Sequence, residues 1–149
     1  MRLGFHGSRT LSDERVRIIV LEEIDRHNPD HIVTHAEPEG VCAVVRKVAQ
    51  EQGIPLVLHS LNFKFRRGAF EHRSKGVLKD SDYSIFIHDG KSKGTSNEIK
   101  LCEKMGLPSS THTLEITKYK ASVGFEIDKE WELETEDQLE QILSGPSTL

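Results

Sequence analysis

The chain has little cysteine, no long apolar run and no large charge excess, and each shortage removes a class of function. Its two cysteines, Cys42 and Cys102, stand alone in helical segments without CxxC spacing. Buried thiols in a reducing compartment account for them best. No apolar stretch approaches the roughly 20 residues that a membrane span needs. The opening Met1-Arg2-Leu3-Gly4-Phe5-His6-Gly7-Ser8 turns polar too early to hold the apolar region of a secretory signal. A cytoplasmic location with no membrane partner is therefore expected. A net charge of −4 gives no global case for nucleic acid as a partner. Internal repeats, low-complexity tracts and interdomain linkers are missing as well.

What is present suits one globular domain. The 149 residues are 36% hydrophobic and 30% charged, enough for a real core. Short apolar runs alternate with segments of helical period, the signature of βαβ units around a mostly parallel sheet. Strands are expected at Leu3–His6, His31–Thr34, Ile54–Leu58 and Tyr83–Ile87. Between them Ser12 is a candidate N-cap for a helix with Val16, Ile19, Val20, Glu23 and Ile24 on one face. Pro38 suits a first helical turn, followed by the stripe Val41, Val44, Val45 and Val48, with Gly53 as terminator. A helix from about Gly68 to Leu78 precedes the fourth strand. Thr95 or Ser96 caps the next one, whose inner face is Ile99, Cys102 and Met105. Beyond Pro108, Thr113–Ile116 and Val123–Ile127 alternate apolar and polar, which suggests an antiparallel edge hairpin. A last helix from about Trp131 to Leu143 and a frayed tail at Gly145–Leu149 complete the expectation, a Rossmann-like three-layer α/β domain.

In such a sheet, ligands bind beyond the carboxyl ends of the strands, near the point where strand order reverses. Gly7-Ser8-Arg9-Thr10 follows the first strand, with small residues for close backbone approach and Arg9 as a phosphate fork. Asp89-Gly90-Lys91-Ser92-Lys93-Gly94-Thr95 follows the fourth and leads into a helix that carries Glu98. Exposed amides and the helix dipole favour an anion there. This loop is not a P-loop, because Ile85 stands where that motif needs its first glycine.

Lys64, Arg66, Arg67, Arg73 and Lys75 form a local basic tract that suits an anion clamp, with Arg73 facing the Gly94 loop. Phe70 reads as core, while Phe63 or Phe65 is placed to stack on a base. His6, His35, His59 and His88 each fall at a strand's carboxyl end. No HxH or HExxH spacing joins them, so no metal site is expected, although one or two can contact a ligand.

Three elements taken together resemble the DprA/LOG-like Rossmannoid superfamily known as SLOG. They are Gly7-Ser8-Arg9, Glu71-His72-Arg73 and Gly94-Thr95-Ser96-Asn97-Glu98, in order across roughly residues 3–108. The last is similar to the Gly-Thr-x-x-Glu signature of LOG-type phosphoribohydrolases, where Arg73 matches an arginine paired with that glutamate. LOG enzymes carry Pro-Gly-Gly-x-Gly-Thr; this chain has Asp89-Gly90-Lys91-Ser92-Lys93 before Gly94. Ile87 to Ile99 also resembles nucleoside 2-deoxyribosyltransferases, in which the same glutamate is the nucleophile.

The resemblance implies a phosphorylated nucleotide or derivative as ligand, and a homodimer or higher oligomer. It makes Glu98 and Arg73 the candidate catalytic pair for an N-glycosidic hydrolase or transferase, with His6 or His88 protonating the leaving base. The expected ligand contacts are Gly7, Ser8, Arg9, His35, Arg67, His88, Asp89, Gly90, Gly94 and Thr95, with no cofactor. A non-catalytic sensor of a nucleotide-derived signal is the other open reading, ahead of single-stranded nucleic-acid binding.

Overall fold

Apolar strands without polar alternation need cover on both faces, and the chain supplies it with two pairs of helices. The computed structural model describes residues 1–115. Its elements are β1 (Arg2–Gly7), α1 (Glu14–His27), β2 (His31–His35), α2 (Val41–Gln52), β3 (Leu56–His59), a 3-10 turn (Phe63–Gly68), α3 (Ala69–Asp80), β4 (Tyr83–His88), α4 (Lys93–Met105) and β5 (Ser109–Thr113). The strands form one sheet in the order β3-β2-β1-β4-β5, and every neighbouring pair is parallel. This is a Rossmann-like three-layer α/β architecture.

Period-2 alternation along the central strands builds a different core on each face. Leu3 and Phe5 of β1, with Ile85 and Ile87 of β4, pack against Val16 and Val20 of α1 and Val41, Val45 and Val48 of α2. Phe86 points the other way and meets Leu78 of α3 and Cys102 of α4. Burying such a side chain is worth about 1.5–3 kcal/mol, so the valine stripe of α2 anchors its layer. Both cysteines are buried and free. Desolvation pushes the Cys42 thiol up to about 12, which leaves it an inert core side chain.

Several boundaries differ from expectation, each for a local reason. Asp13, not Ser12, caps α1: its carboxylate accepts from the Arg15 amide at 3.0 Å. Pro38 precedes α2 instead of sitting in its first turn, because the chain makes its entry at Gly40 with φ 79° and ψ −156°. Glycine alone adopts that conformation readily. Helix α4 starts earlier than Thr95, with Ser92 at the N-cap position but no side-chain cap bond, so Gly94 and Thr95 lie in its first turn. Glu23, the polar exception on the inner face of α1, is buried at 1% exposure and ion-pairs with Arg26 at 2.7 Å.

Among the described residues the last strand is β5 at Ser109–Thr113, parallel to β4; of the stretch expected from Thr113 to Ile116, Leu114 and Glu115 are outside a strand and Ile116 lies outside the described residues. The Ser-Ser-Thr-His-Thr sequence of β5 has no apolar run for the period to detect. The remaining arm at Val123–Ile127, the helix from Trp131 and the tail from Gly145 lie outside the described residues. Among the described residues no helix is long and apolar enough to cross a membrane.

Candidate functional site

Strand order reverses between β1 and β4, because β2 lies on one side of this pair and β5 on the other. Beyond their carboxyl ends opens a cavity of about 350 Å³, a size suited to a small organic ligand. Gly7, Arg9, Arg67, Phe70, Arg73, Ser92, Gly94, Thr95 and Glu98 are on its wall, together with Glu37, Glu71, Ser74, Asn97 and Leu101. The Gly7 and Gly94 turns and three of the chain's arginines thus meet at one opening. Ser8, His35, His88, Asp89 and Gly90 are not on the wall; they build what stands behind it.

The β4–α4 loop is tied down by its own side chains. Asp89 accepts from the amides of Lys91 (2.8 Å) and Ser92 (2.7 Å) through Oδ1, and from Thr10 Oγ1 (2.6 Å) through Oδ2. Its amide donates to Ser8 Oγ at 3.2 Å, which joins the two turns. His88 Nδ1 accepts from the Gly90 amide at 2.5 Å. The proton is therefore on Nε2, within 2.9 Å of Ser96 Oγ and 3.2 Å of the Ser92 carbonyl. A ring committed at both nitrogens is a staple, not a proton donor to a leaving base. The loop amides of Lys91 and Ser92 are likewise spent on Asp89. What remains for an anion is the first turn of α4, since Ser92 makes no side-chain cap.

Burial pushes the Asp89 carboxyl up, but the bonds from Thr10, Lys91 and Ser92 outweigh it and hold the group below its ordinary value. A lowered folded value means stability that is fully present above the unfolded carboxyl's pKa. It is lost as the pH falls through the folded one. Asp89→Asn is thus expected to cost about 1–3 kcal/mol at neutral pH, with the gap to the parent closing in acid. Urea midpoints at pH 7 and pH 3 read this directly, and an equal gap at both would exclude a charged Asp89 as the cause.

Two arginines clamp one glutamate across the cavity. Glu37 Oε2 accepts from Arg9 Nε at 3.1 Å, and Oε1 accepts from an Arg73 terminal nitrogen at 2.9 Å. Arg46 also reaches the Glu37 carbonyl. The sequence expectation paired Arg73 with Glu98; the partner is Glu37. The Glu37 charge is thus matched by two guanidinium groups.

The expectations for the aromatics are reversed. Phe70 lines the cavity, with the Arg9 and Arg73 guanidinium carbons 5.8 and 5.6 Å from its ring centre. Phe63 and Phe65 are exposed and off the wall, and Phe65 stacks on His72 at 3.9 Å. Of the basic tract, Arg67 reaches the cavity, while Lys64, Arg66 and Lys75 are exposed away from it.

Glu98 has other company. His6 Nδ1 lies 2.5 Å and His35 Nε2 2.8 Å from the same Glu98 oxygen, Oε2, and the two nitrogens are 3.2 Å apart. Burial would push the Glu98 carboxyl up; the imidazoles of His35 and His6 outweigh it and hold the group well below the usual carboxylate range. Burial pushes the His6 imidazole down.

Register explains this cluster. β1 and β2 pair from Arg2↔His31 to Gly4↔Val33, and two further steps set His6 beside His35. Both then face α3 and α4, opposite Phe5. Motif spacing could not find it, whereas strand register with period 2 could. His59 stays apart, with Nε2 2.6 Å from Asp80 Oδ2.

No family model matches the chain, and no curated protein is significantly similar to it.

Proposed function

We propose that the chain binds a phosphate-bearing nucleotide or nucleotide-derived molecule in the cavity at the carboxyl ends of β1 and β4. One observation carries the reading: Arg9, Arg67 and Arg73 share that cavity with the first turn of α4. Guanidinium forks and an uncapped helix start both complement phosphate oxygens. Glu37 occupies Arg9 and Arg73 in part, but Arg67 has no ion-pair partner among the described residues. Phe70 offers an apolar face for a base or ribose. The likeness of Gly7-Ser8-Arg9 and Gly94-Thr95-Ser96-Asn97-Glu98 to SLOG motifs supports the same ligand class.

Thermal unfolding with nucleoside monophosphates, cyclic nucleotides and ADP-ribose derivatives tests it, because a ligand of the folded state raises Tm. At least one compound is expected to do so. Arg67→Ala, an exposed change that leaves the Glu37 clamp intact, should weaken that compound about tenfold, or about 1.4 kcal/mol. If no member of the panel shifts Tm, the reading fails.

Cleavage of the ligand's N-glycosidic bond is a second reading, favoured by the ionised Glu98 on the cavity wall. A carboxylate there can stabilise or attack an anomeric carbon as oxocarbenium character develops. Free base should then be released, and Glu98→Gln should abolish the release. Stabilisation without release would instead assign the chain as a non-catalytic sensor.

A further inference from the structure

We propose that His6, His35 and Glu98 form a binding centre for one divalent first-row transition ion. Three elements contribute one donor atom each: His6 Nδ1 from β1, His35 Nε2 from β2 and Glu98 Oε2 from α4. The three atoms are 2.5, 2.8 and 3.2 Å from one another. At metal bonds of about 2.1 Å, neighbouring ligand atoms are about 3.0 Å apart in an octahedron and about 3.4 Å in a tetrahedron. The observed triangle is close to one face of such a polyhedron. Its edges are on average slightly shorter than those of such a face.

The donor set also has the right chemistry. Two imidazoles and one carboxylate form the combination that zinc, cobalt and iron(II) accept, with positions left open for water or substrate. The histidines are 0% and 1% exposed, whereas Glu98 is 12% exposed and touches the cavity. The centre therefore meets the cavity through Glu98, while both histidines are buried behind it. Among the described residues this is the group of three that fits a metal ion.

Ring chemistry leaves the converging nitrogens available. His6 Nε2 and His35 Nδ1, on the far side of each ring, have no partner among the described residues. Without an ion, Glu98 draws the ring protons to the converging nitrogens; an ion displaces them, and the unpartnered outer nitrogens are open to take them. His88 differs, because the Gly90 amide fixes its tautomer. Both imidazoles can turn lone pairs inward together, which metal ligation requires.

The centre does not rest on the nucleotide reading, and it alters the glycosidic one. An ion bound here makes Glu98 Oε2 a ligand, so that oxygen cannot attack an anomeric carbon. Such an ion acts through its own charge, polarising a phosphate or carbonyl oxygen or lowering the pKa of a bound water.

The test uses full-length, tag-free protein stripped with a chelator, with no nucleotide present. Titration with Co²⁺ should give visible absorption bands that saturate at one equivalent and vanish when Zn²⁺ is added. Glu98→Gln, nearly isosteric, should weaken Co²⁺ binding about 100-fold or more. His35→Ala should do the same while keeping its far-ultraviolet circular dichroism, and His59→Ala should bind as the parent does. Should His35→Ala fail to fold, Glu98→Gln decides alone. Absence of saturable Co²⁺ bands, or equal binding by Glu98→Gln, overturns the proposal. Nucleotide stabilisation of the stripped protein is read separately, so either proposal can fail without the other.

Discussion

Gly40→Ala is expected to cost roughly 2–6 kcal/mol of folding stability, from left-handed backbone strain and overpacking together. The backbone at Gly40 has φ 79° and ψ −156°, a combination essentially confined to glycine. A Cβ there would also sit 2.4 Å from the Arg9 Cα and 2.8 Å from its carbonyl oxygen. Backbone cannot rotate aside as a side-chain tip can, so the β1–α1 turn or the start of α2 must move. Neither has slack, since the Val41 amide donates to the Ser8 carbonyl at 3.2 Å. Gly53→Ala is the matched control. Its φ is 68° but its Cβ meets nothing within 4 Å, so only the conformational cost of about 1 kcal/mol applies. Urea unfolding of both variants checks the contrast, and equal losses would rule out the close approach as the cause.

Arg73→Met should cost roughly 3–5 kcal/mol, the penalty of leaving a buried charge half compensated. Arg73 is 6% exposed and Glu37 11%, so water can do little for the carboxylate once the 2.9 Å contact is gone. Arg9 remains, but through a single Nε contact at 3.1 Å. Adding Glu37→Gln to Arg73→Met removes the stranded charge and should recover part of the loss. The double variant then costs well below the sum of the two single costs. Strict additivity would mean that the two residues stabilise the fold separately. Arg73→Lys should not rescue, because an ammonium lacks the planar fork that reaches Glu37 while lying against Phe70.

Much of the architecture was legible because the signals are local. Val41, Val45 and Val48 mark the inner face of α2, and Tyr83 to Ile87 reads as a strand. Boundaries slipped where one side chain decided them, as with Asp13 over Ser12 at α1. β5 was hidden by its polarity: an edge strand of serine and threonine gains its place from β4, not from its own period.

The site was legible as a place but not as a set of partners. The turns at Gly7 and Gly94 could be located beyond their strand ends, whereas the choice of Glu37 for Arg73 depends on how far two helices stand apart. His6, His35 and Glu98 are separated by 29, 63 and 92 positions along the chain. Strand register brings the two histidines together and the packing of α4 on the sheet adds Glu98, neither of which a short motif encodes.

The pairing of β1 has a consequence for how this chain is made. Its N-terminal strand lies in the middle of the sheet, with Leu3 beside Ile32 on one side and Tyr83 on the other. During synthesis β1 leaves the ribosome well before β4, so one of its edges has no partner until β4 has followed. Translation at about 5–20 residues per second makes that wait several seconds long. Over that interval Leu3 and Phe5 belong to an unfinished edge, the kind of surface that chaperones hold and that aggregates in their absence. β4 is therefore the strand that closes the second edge of β1 and ends its vulnerable period.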